Sequence, residues 1–382
     1  MLLLSSAELS IITAGRRTIA QLQFAAIIDL HRDRMNIAFT ADVHLTEDSG
    51  NPHRYHSLVD IADKLKSTGI GTLVIAGDLF DENCSTYAGF EELCGNNPSI
   101  QFHVIPGNHD PDINGRIIVG DNISIHDSLE VLEMDGLQTV FIPYSDSSGM
   151  AEQLEGVDFS GRWILVGHGD YVSGTKERNP YEQGTYMPLY RRDVERYQPW
   201  KIFLGHIHKP TDRGNLHYPG SPCGLDINET GRRRFLVFDT STGKVSSRTV
   251  DSKVIYFREK LLVIPDENEL ERLRNQALAR IATWGLDREE KGKARIRVTV
   301  SGYTSDREAV MNCLKDVFSS YSFYGGEEPD ISSLRVARDL KRNAIASKAI
   351  DFVEEMDWNF GGDEPEKEQV IEAALHVIFG EG

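Results

Sequence analysis

The chain has 382 residues, of which 40% are hydrophobic and 26% are charged, so it has enough apolar material for more than one packed domain. No apolar run approaches the roughly 20 residues that cross a bilayer, which predicts that there is no membrane span. Four cysteines are too few for a disulfide framework and favour a reduced, cytoplasmic protein. The net charge of −18 argues against indiscriminate binding to polyanions, but residues 171–248 carry 13 basic against 8 acidic side chains.

The first part of the chain predicts an α/β domain. Residues 1–34 have only a weak helical pattern, and we predict that they form a poorly ordered leader. From Met35 to about residue 255, apolar strands alternate with amphipathic helices, such as one over 54–68 that ends at Gly69. The strands are near-continuous apolar runs, which are typical of sheets covered on both faces. They lie at 35–40, 72–76, 102–105, 163–166 and 201–204.

The pattern changes beyond Pro265. Next come a helix over 267–283, a half-exposed strand over 295–300 and a helix over 306–319. These elements predict a small α+β domain over 256–335. The last region, 336–382, predicts two amphipathic helices over 344–358 and 365–379, joined by Gly361 and Gly362. Their apolar stripes are equally compatible with a core and with a docking surface. The stripe residues are Ile345, Ala349, Phe352, Val353, Val370, Ile371, Leu375 and Ile378.

A polar cluster follows each of the five predicted strands. The clusters are Asp42-Val43-His44, Gly77-Asp78, Gly107-Asn108-His109-Asp110, Gly167-His168 and Gly205-His206-Ile207-His208. Ligands of open α/β sheets bind at the carboxyl ends of the strands, so we expect the five clusters to converge. We also expect the adjacent glycines to let the backbone turn sharply and aim each polar side chain into the site.

Seven oxygen and nitrogen donors are more than one structural zinc ion requires. They suffice for two divalent ions about 3.5–4 Å apart that share one carboxylate and act on a phosphoryl group. Each cluster alone is more typical of a solvated loop, a turn or surface histidines. Chance does not explain the presence of all five clusters in this order, each after an apolar strand.

This series of motifs resembles the calcineurin-like metallophosphoesterase superfamily and, within it, the SbcD family of DNA repair nucleases. The resemblance is close over residues 35–255 and loose beyond them. Two segments narrow it to SbcD: 204–210, and 218–222 followed by Glu229 and the strand 234–238. The resemblance implies an α/β fold, a four-layer α-β-β-α sandwich, with a small α+β capping domain and C-terminal helices.

The resemblance also implies roles for individual residues. It places Asp42, His44 and His208 on a first metal, Asn108, His168 and His206 on a second, and Asp78 between them. His109 would be the catalytic histidine that steadies or protonates the leaving oxygen, oriented by Asp110. Asp81 stands where some members have a histidine used in exonuclease action, so support and catalysis both stay open for it. Asp170 is expected to be a hydrogen-bond partner and not a ligand. The family is typically manganese-dependent, although the donor set also suits iron or zinc.

The middle of the chain predicts a surface for DNA. Arginine and lysine side chains interleaved with tyrosines suit phosphate contacts and base stacking, and we predict that they form a basic rim. The cationic and aromatic residues are Lys176, Arg178, Arg191, Arg192, Lys209, Arg213, Arg232, Arg233, Arg234, Tyr171, Tyr181, Tyr186 and Tyr190. A plainer interpretation is that some are solvated charges, with Arg192 and Arg196 paired to acidic neighbours.

The resemblance further implies partners and a leading function. SbcD-like proteins form homodimers with an SbcC-type ABC ATPase, and residues 344–379 are the candidate contact with the ATPase. The leading function is a 3′–5′ exonuclease on duplex ends and an endonuclease on single strands or hairpins. One alternative is another calcineurin-like phosphoesterase that acts on nucleotides or phosphoproteins. The other is a non-catalytic scaffold at DNA ends, which the intact ligand set disfavours.

Overall fold

The computed structural model describes residues 36–46, 51–174, 184–337, 340–358, 365 and 367–379. The predicted leader 1–34 lies outside the described residues, as do Lys176, Arg178, Tyr181, Gly361 and Gly362. The chain divides into two compact units. The first runs to Pro222 and resumes over Arg233–Asp251, and the second takes Cys223–Arg232 and the chain from Ser252 onwards.

The first unit contains two large mixed sheets and helices on their outer faces. Its strands are β1 (Asn36–Thr40), β2 (Thr72–Ala76), β3 (Gln101–Ile105), β4 (Ile123–Ile125), β5 (Glu130–Met134), β6 (Leu137–Ile142), β7 (Trp163–His168), β8 (Tyr171–Val172), β9 (Leu189–Tyr190), β10 (Lys201–Gly205), β11 (Thr211–Arg213), β12 (Leu216–Tyr218), β13 (Arg234–Asp239) and β14 (Val245–Thr249). Its helices are α1 (Pro52–Thr68), α2 (Ala88–Gly95), α3 (Met150–Gln153) and α4 (Arg191–Tyr197).

Each large sheet has a run of parallel strands and at least one antiparallel edge. The first has the order β14-β13-β1-β2-β3-β4, in which β1, β2, β3 and β4 are parallel and β13 is antiparallel to both neighbours. The second has the order β11-β12-β10-β7-β6-β5, with β12, β10, β7 and β6 parallel. The parallel centres matter for function because they bring several carboxyl strand ends to one edge.

The layers of the first unit follow from which side chains each face buries. The two sheets pack against each other through an apolar core that includes Phe39 of β1 and Phe203 of β10, whose rings stack with 3.7 Å between centroids. Helices α1 and α2 cover the outer face of the first sheet through residues such as Leu58 and Phe90. Met150 of α3 contributes to the core on the outer face of the second sheet. The predicted four-layer α-β-β-α sandwich is therefore confirmed.

Helix α1 starts and ends where its sequence favours it. Pro52 occupies the first turn, where the missing amide hydrogen costs nothing. Gly69 follows the last turn with a φ of 72°, and its N–H caps the carbonyls of Leu65 and Lys66. The two ends of the helix are thereby set by Pro52 and Gly69.

The second unit is a smaller α+β structure. Its elements are β15 (Ile255–Val263), α5 (Glu269–Thr283), α6 (Arg288–Lys293), β16 (Ala294–Thr304), α7 (Arg307–Val317), β17 (Ser322–Phe323), β18 (Leu334–Val336), α8 (Leu340–Glu355) and α9 (Lys367–Phe379). Strand β16 pairs in parallel with β15, β17 and β18. Burial alternates along β16, as its sequence predicts for a sheet with one face covered by helices.

Helices α8 and α9 close a second core in this unit. Ala346, Ile350 and Val353 line one face of α8 at i, i+4 and i+7 and pack with Leu375 of α9. Ile345 and Phe352 from the predicted stripe lie one position out of phase with that face and are 57% and 67% exposed. The described residues contain no helix that is long and apolar enough to cross a membrane.

Candidate metal centre

All seven predicted ligands lie where strands of the first unit end. Asp42 and His44 follow β1, Asp78 follows β2, and Asn108 follows β3. His168 is the last residue of β7, and His206 and His208 follow β10. The parallel pairings β1-β2-β3 and β7-β10 bring these loops to the same end of each sheet.

The backbone at this centre is strained. Seven described residues other than glycine have a positive φ, and four of these are predicted ligands: Asp42 (54°), His44 (49°), Asp78 (50°) and His206 (91°). Such conformations cost on the order of 1–3 kcal/mol each for residues with a side chain, and they persist only where the surroundings enforce them. Their concentration at one site indicates that function, not folding, selected these conformations.

The glycines next to the predicted ligands mostly allow close packing of the loops, and only one of them makes the predicted sharp turn. Only Gly77 has the positive φ, 87°, that the predicted sharp turn requires. A Cβ atom at Gly107 would overlap the carboxylate of Asp78, and one at Gly205 would overlap the carbonyl of Ala76. The glycine at these two positions is needed for close approach of the loops.

The first group of donors consists of Asp42, His44, Asp78 and His208, whose ligand atoms all lie within 4.8 Å of one another. The Nε2 atoms of His44 and His208 are 3.3 Å apart, and Nε2 of His44 is 3.5 Å from Oδ2 of Asp78. Imidazole nitrogens and carboxylate oxygens at this spacing suit one divalent cation.

The second group lies on the other side of Asp78. Oδ1 of Asn108 is 2.9 Å from Nε2 of His168 and 3.1 Å from Nδ1 of His206. Nε2 of His168 is 3.3 Å from Oδ2 of Asp78. The same Asp78 oxygen therefore faces a histidine of each group.

Hydrogen bonds occupy one oxygen of each of the Asp42 and Asp78 carboxylates and leave the other oxygen available to a cation. Oδ1 of Asp42 accepts from the N–H of His206 at 2.7 Å, and Oδ1 of Asp78 accepts from the N–H of His109 at 2.9 Å. The Oδ2 atoms of both aspartates are buried and have no hydrogen-bond partner among the described residues. A buried anionic oxygen without a partner is costly, and a bound cation removes that cost. The residues therefore fit a divalent metal group.

The ring of His168 is oriented for the same purpose. Its Nδ1 donates to the carbonyl of Ala76 at 2.9 Å, so in the neutral ring Nε2 carries the lone pair. That lone pair faces the oxygens of Asn108 and Asp78. A backbone carbonyl that fixes the tautomer in this way is the usual outer partner of a metal-binding histidine.

Burial shifts the pKa values of these groups in the absence of metal. Desolvation raises the pKa of Asp42 to about 6 and lowers that of His44 to about 3. Burial is the largest influence on Asp78 and opposes its ionisation, but the surrounding histidines, His168 foremost, together outweigh burial and lower the pKa of Asp78 below its usual value. Against its own burial, His168 is raised to a pKa of about 9 by the Asp78 carboxylate.

The two predicted catalytic residues adjoin the donors. The ring of His109 lies edge-on to that of His44, with 4.7 Å between centroids. The carboxylate of Asp110 is buried and accepts the N–H groups of Gly107 at 2.7 Å and Phe80 at 3.0 Å. Asp110 thus holds together the loops that carry Asn108 and Asp78. Burial, with the charge of Asp78, raises the pKa of Asp110 to about 7.

The structure also places Asp170, which was expected to be a hydrogen-bond partner, and Asp81, whose role the sequence left open. Asp170 accepts the N–H of Tyr186 at 2.8 Å and lies 3.8 Å from Nε2 of His206, which is the geometry of a supporting residue. Asp81 pairs with Arg54, whose Nη1 lies 3.0 Å from Oδ2 of Asp81. The same nitrogen donates to the carbonyl of His44 at 2.7 Å.

Sequence analysis missed Arg54, and it assigned Arg233 to the basic rim. An arginine in an amphipathic helix is ordinarily solvated, so nothing in the pattern of α1 marks Arg54 as buried. Arg233 is buried too, and its guanidinium donates to the carbonyl of His208 at 2.5 Å. Arg233 directly precedes an apolar strand, and this position could have indicated that its side chain is buried. A buried arginine in turn requires fixed partners.

The predicted basic rim needs correction at residues 232–234. Arg232 pairs with Glu290 at 2.6 Å and Arg234 with Asp212 at 2.6 Å, while Arg233 is buried. These three side chains have fixed partners within their own units, so they are not a free surface for phosphate. Two more rim arginines lie beside acidic residues of α4: Arg191 is 3.0 Å from Glu195 and Arg192 is 3.7 Å from Asp193.

Comparisons with solved structures gave similarities at low identity. A novel archaeal phosphodiesterase is 13% identical over 56% of this chain and 100% of its own, with a TM-score of 0.33. The hypothetical protein PH1004 from Pyrococcus horikoshii OT3 is 14% identical over 66% of this chain and 95% of its own, with a TM-score of 0.33. GAP50, the anchor in the inner membrane complex of Plasmodium, is 13% identical over 57% of this chain and 89% of its own, with a TM-score of 0.34. No curated protein matches the chain.

The comparison with family models gave a match to one family. The model described as calcineurin-like phosphoesterase matches residues 35–238, which are just over half of the chain and include every donor described above. The chain therefore belongs to the calcineurin-like phosphoesterase family.

Proposed function

We propose that the protein is a manganese-dependent, two-metal DNA nuclease of the SbcD type. It acts as a 3′–5′ exonuclease on duplex ends and as an endonuclease on single strands and hairpins, in the cytoplasm. The observation that carries the proposal is the pair of buried Asp42 and Asp78 oxygens that lack a hydrogen-bond partner within the described part of the chain and lie in the same cluster as five further donors. Two cations held there supply the positive charge that a phosphodiester requires.

The residues of the chain provide the rest of the chemistry. Asp78 holds the two donor groups in register, since one of its oxygens faces both His44 and His168. His109 stands beside the first group and provides a proton to the leaving oxygen. Asp110 keeps the His109 loop in place through the N–H of Gly107. Manganese suits this mixture of imidazole, amide and carboxylate donors, although the donors do not select it sharply.

DNA is the favoured substrate because two features go beyond what a small-molecule esterase needs. The segment 219–222 does not bind the metal group directly, but Ser221 holds the loop of His208: its N–H donates to the His208 carbonyl at 3.2 Å. The second unit adds an α+β structure and two terminal helices beyond the family match. A phosphoesterase for nucleotides or phosphoproteins requires neither feature.

The decisive experiment is cleavage of end-labelled duplex, hairpin and single-stranded DNA with Mn²⁺, beside bis-para-nitrophenyl phosphate. Wild-type protein should shorten duplexes from the 3′ end and open hairpins, and His109→Ala should lose both activities while still binding Mn²⁺. Hydrolysis of the chromogenic ester alone would instead favour an enzyme for nucleotides or phosphoproteins. Binding of Mn²⁺ and DNA without any hydrolysis would favour the scaffold.

We further propose that helices α8 and α9 dock on an SbcC-type ABC ATPase, in a complex containing a homodimer of this chain. Ile345 and Phe352 lie seven residues apart on one exposed face of α8, which is the spacing of helix-in-groove anchors. The adjacent face of α8 is occupied, since Ile350 packs in the core of the second unit. A partner groove with basic edges would suit the flanking acidic residues.

Substitution tests this docking better than truncation, because removal of α8 and α9 would expose the core around Leu262 and Ile264. Phe352→Asp combined with Ile345→Asp should abolish co-purification with the ATPase and leave Mn²⁺-dependent cleavage of the small ester unchanged. Asp351→Asn, at an exposed neighbouring position, should bind the ATPase normally. Retained association of the double variant would contradict the assignment.

A further inference from the structure

Two buried arginines hold the main chain of the histidines in the first donor group. Arg54 of α1 donates through Nη1 to the carbonyl of His44 at 2.7 Å. Arg233 donates through Nη2 to the carbonyl of His208 at 2.5 Å. Both side chains are almost fully buried, and the two come from distant parts of the chain. Burying a guanidinium against the main-chain carbonyl of a predicted metal ligand costs free energy. Two such arrangements at one site indicate a functional role.

Each arginine is itself fixed by a second partner. Nη1 of Arg54 lies 3.0 Å from Oδ2 of Asp81, and the N–H of Asp81 donates to the carbonyl of Leu45 at 2.9 Å. Arg54 and Asp81 therefore clamp the loop after β1 on both sides of His44 and Leu45. Nε of Arg233 donates to the carbonyl of Ser221 at 3.0 Å, and its Nη2 also bonds to the Ser221 hydroxyl.

The clamp at His44 acts on a strained residue. His44 has a φ of 49°, a conformation that a residue with a side chain adopts only when its surroundings enforce it. Its carbonyl is fixed by Arg54, and its N–H donates to the carbonyl of Asp78 at 3.0 Å. The imidazole can keep its place beside Asp78 and His208 only while that main chain is held.

The second donor group is positioned by other means. The ring of His168 is held by the carbonyl of Ala76, and Oδ1 of Asn108 lies between His168 and His206. The hydrogen bonds described above for Arg54 and Arg233 go instead to the first group: to the carbonyls of His44 and His208, and to the residues that fix the arginines, Asp81 and Ser221.

From these contacts we infer that Arg54, with Asp81, and Arg233, with Ser221, are positioning residues that set the affinity of the first cation site and not of the second. This gives Asp81 a supporting role and explains why the segment 219–222 accompanies the last metal motif. The inference rests on the proposed two-metal function but concerns metal binding alone. Outer partners of this kind typically change metal affinity by about 10–100-fold.

The test is a titration of metal-free protein with Mn²⁺, followed by the loss of the free-ion signal in electron paramagnetic resonance. Arg54→Met and Arg233→Met should each weaken one of two Mn²⁺ sites by about 10–100-fold and leave the other unchanged. The same site should be lost in His44→Ala, and the opposite one in His168→Ala. Lys66→Met is the matched control, because Lys66 is on the same helix as Arg54 but forms an exposed pair with Asp63.

Milder variants cover the case in which loss of a buried arginine prevents folding. Asp81→Asn and Ser221→Ala keep the arginines and should weaken the same site by a few fold. Unchanged affinities, or equal weakening of both sites, would overturn the inference. Failure of the wild-type protein to bind two Mn²⁺ ions would instead defeat the proposed function itself, so the two failures are distinguishable.

Discussion

Two carboxylates of the metal centre in the first unit are buried differently from a structural carboxylate of the second unit. In the second unit, Glu269 of α5 accepts the hydroxyl of Thr304 with one oxygen and the N–H of Ser305, at 3.2 Å, with the other. In the first unit, Asp42 and Asp78 each have one oxygen bonded to a backbone N–H and one that lacks a hydrogen-bond partner among the described residues. Structural carboxylates complete their hydrogen bonds when buried. The incomplete pair in the first unit is therefore where a cation belongs.

The strongest test of this comparison removes the charge of Asp78, whose carboxylate is proposed to be shared by the two cations. Asp78→Asn should lower the rate of Mn²⁺-dependent phosphodiester hydrolysis by about 10³-fold or more, equivalent to roughly 4 kcal/mol in the barrier. The reason is that an amide of the same shape cannot neutralise two cations at once. Steady-state kinetics with bis-para-nitrophenyl phosphate measure the loss, and Mn²⁺ binding should fall in parallel.

A smaller effect on the hydrolysis rate is expected when the Asp78 carboxylate keeps its charge and only its position changes. A Cβ atom at Gly107 would overlap the Asp78 carboxylate, so Gly107→Ala should displace that side chain and lower the hydrolysis rate by about 10²-fold. Gly115→Ala is the control, because a Cβ there meets no atom within 4 Å. Equal rates for the two variants would show that the site tolerates movement of Asp78.

Substitution of Glu269, whose two oxygens both accept hydrogen bonds, should change the stability of the protein and leave its metal binding unchanged. Glu269→Gln replaces an oxygen acceptor by an N–H₂ group, which leaves either the hydroxyl hydrogen of Thr304 or the N–H of Ser305 without an acceptor. We expect a loss of about 1–3 kcal/mol in the free energy of unfolding and unchanged Mn²⁺ affinity. Urea denaturation checks the first expectation and the Mn²⁺ titration the second. Glu271→Gln, exposed on the same helix, should change stability by less than about 0.5 kcal/mol.

These differences explain how much of the candidate site the sequence predicted. Asp42, Asp78 and His168 were predictable because each follows an apolar strand, and parallel strands end at a common edge. Arg54 and Arg233 were not, because their contacts with the carbonyls of His44 and His208 join residues 10 and 25 positions apart that no sequence periodicity relates. Burial of an arginine depends on partners that only the fold brings together.

The fold was predictable for a similar reason and to a similar limit. Near-continuous apolar runs predicted the buried central strands β2 and β7, since both faces of those strands pack against other layers. The edge strand β5 is as long as β2 but has a mixed burial pattern, and its sequence is not a continuous apolar run. On α8, the apolar residues fall on two adjacent faces, so periodicity alone did not separate the buried Ile350 from the exposed Phe352.

The smallest effect concerns a charge pair that stays close to solvent in the second unit. Arg232 forms two hydrogen bonds with Glu290 and one with the carbonyl of Gly285, and its hydrogen bonds lower the pKa of Glu290 to about 2. Because the folded-state pKa is depressed, the pair stabilises the unit above pH 4.5, and this contribution is lost as the pH falls towards 2. Screening by solvent keeps it below about 1 kcal/mol. Arg232→Met should therefore lower the free energy of unfolding in urea slightly at pH 7 and by a smaller amount at pH 3. A difference that is constant with pH would mean that the carbonyl contact, and not the carboxylate, provides the stabilisation.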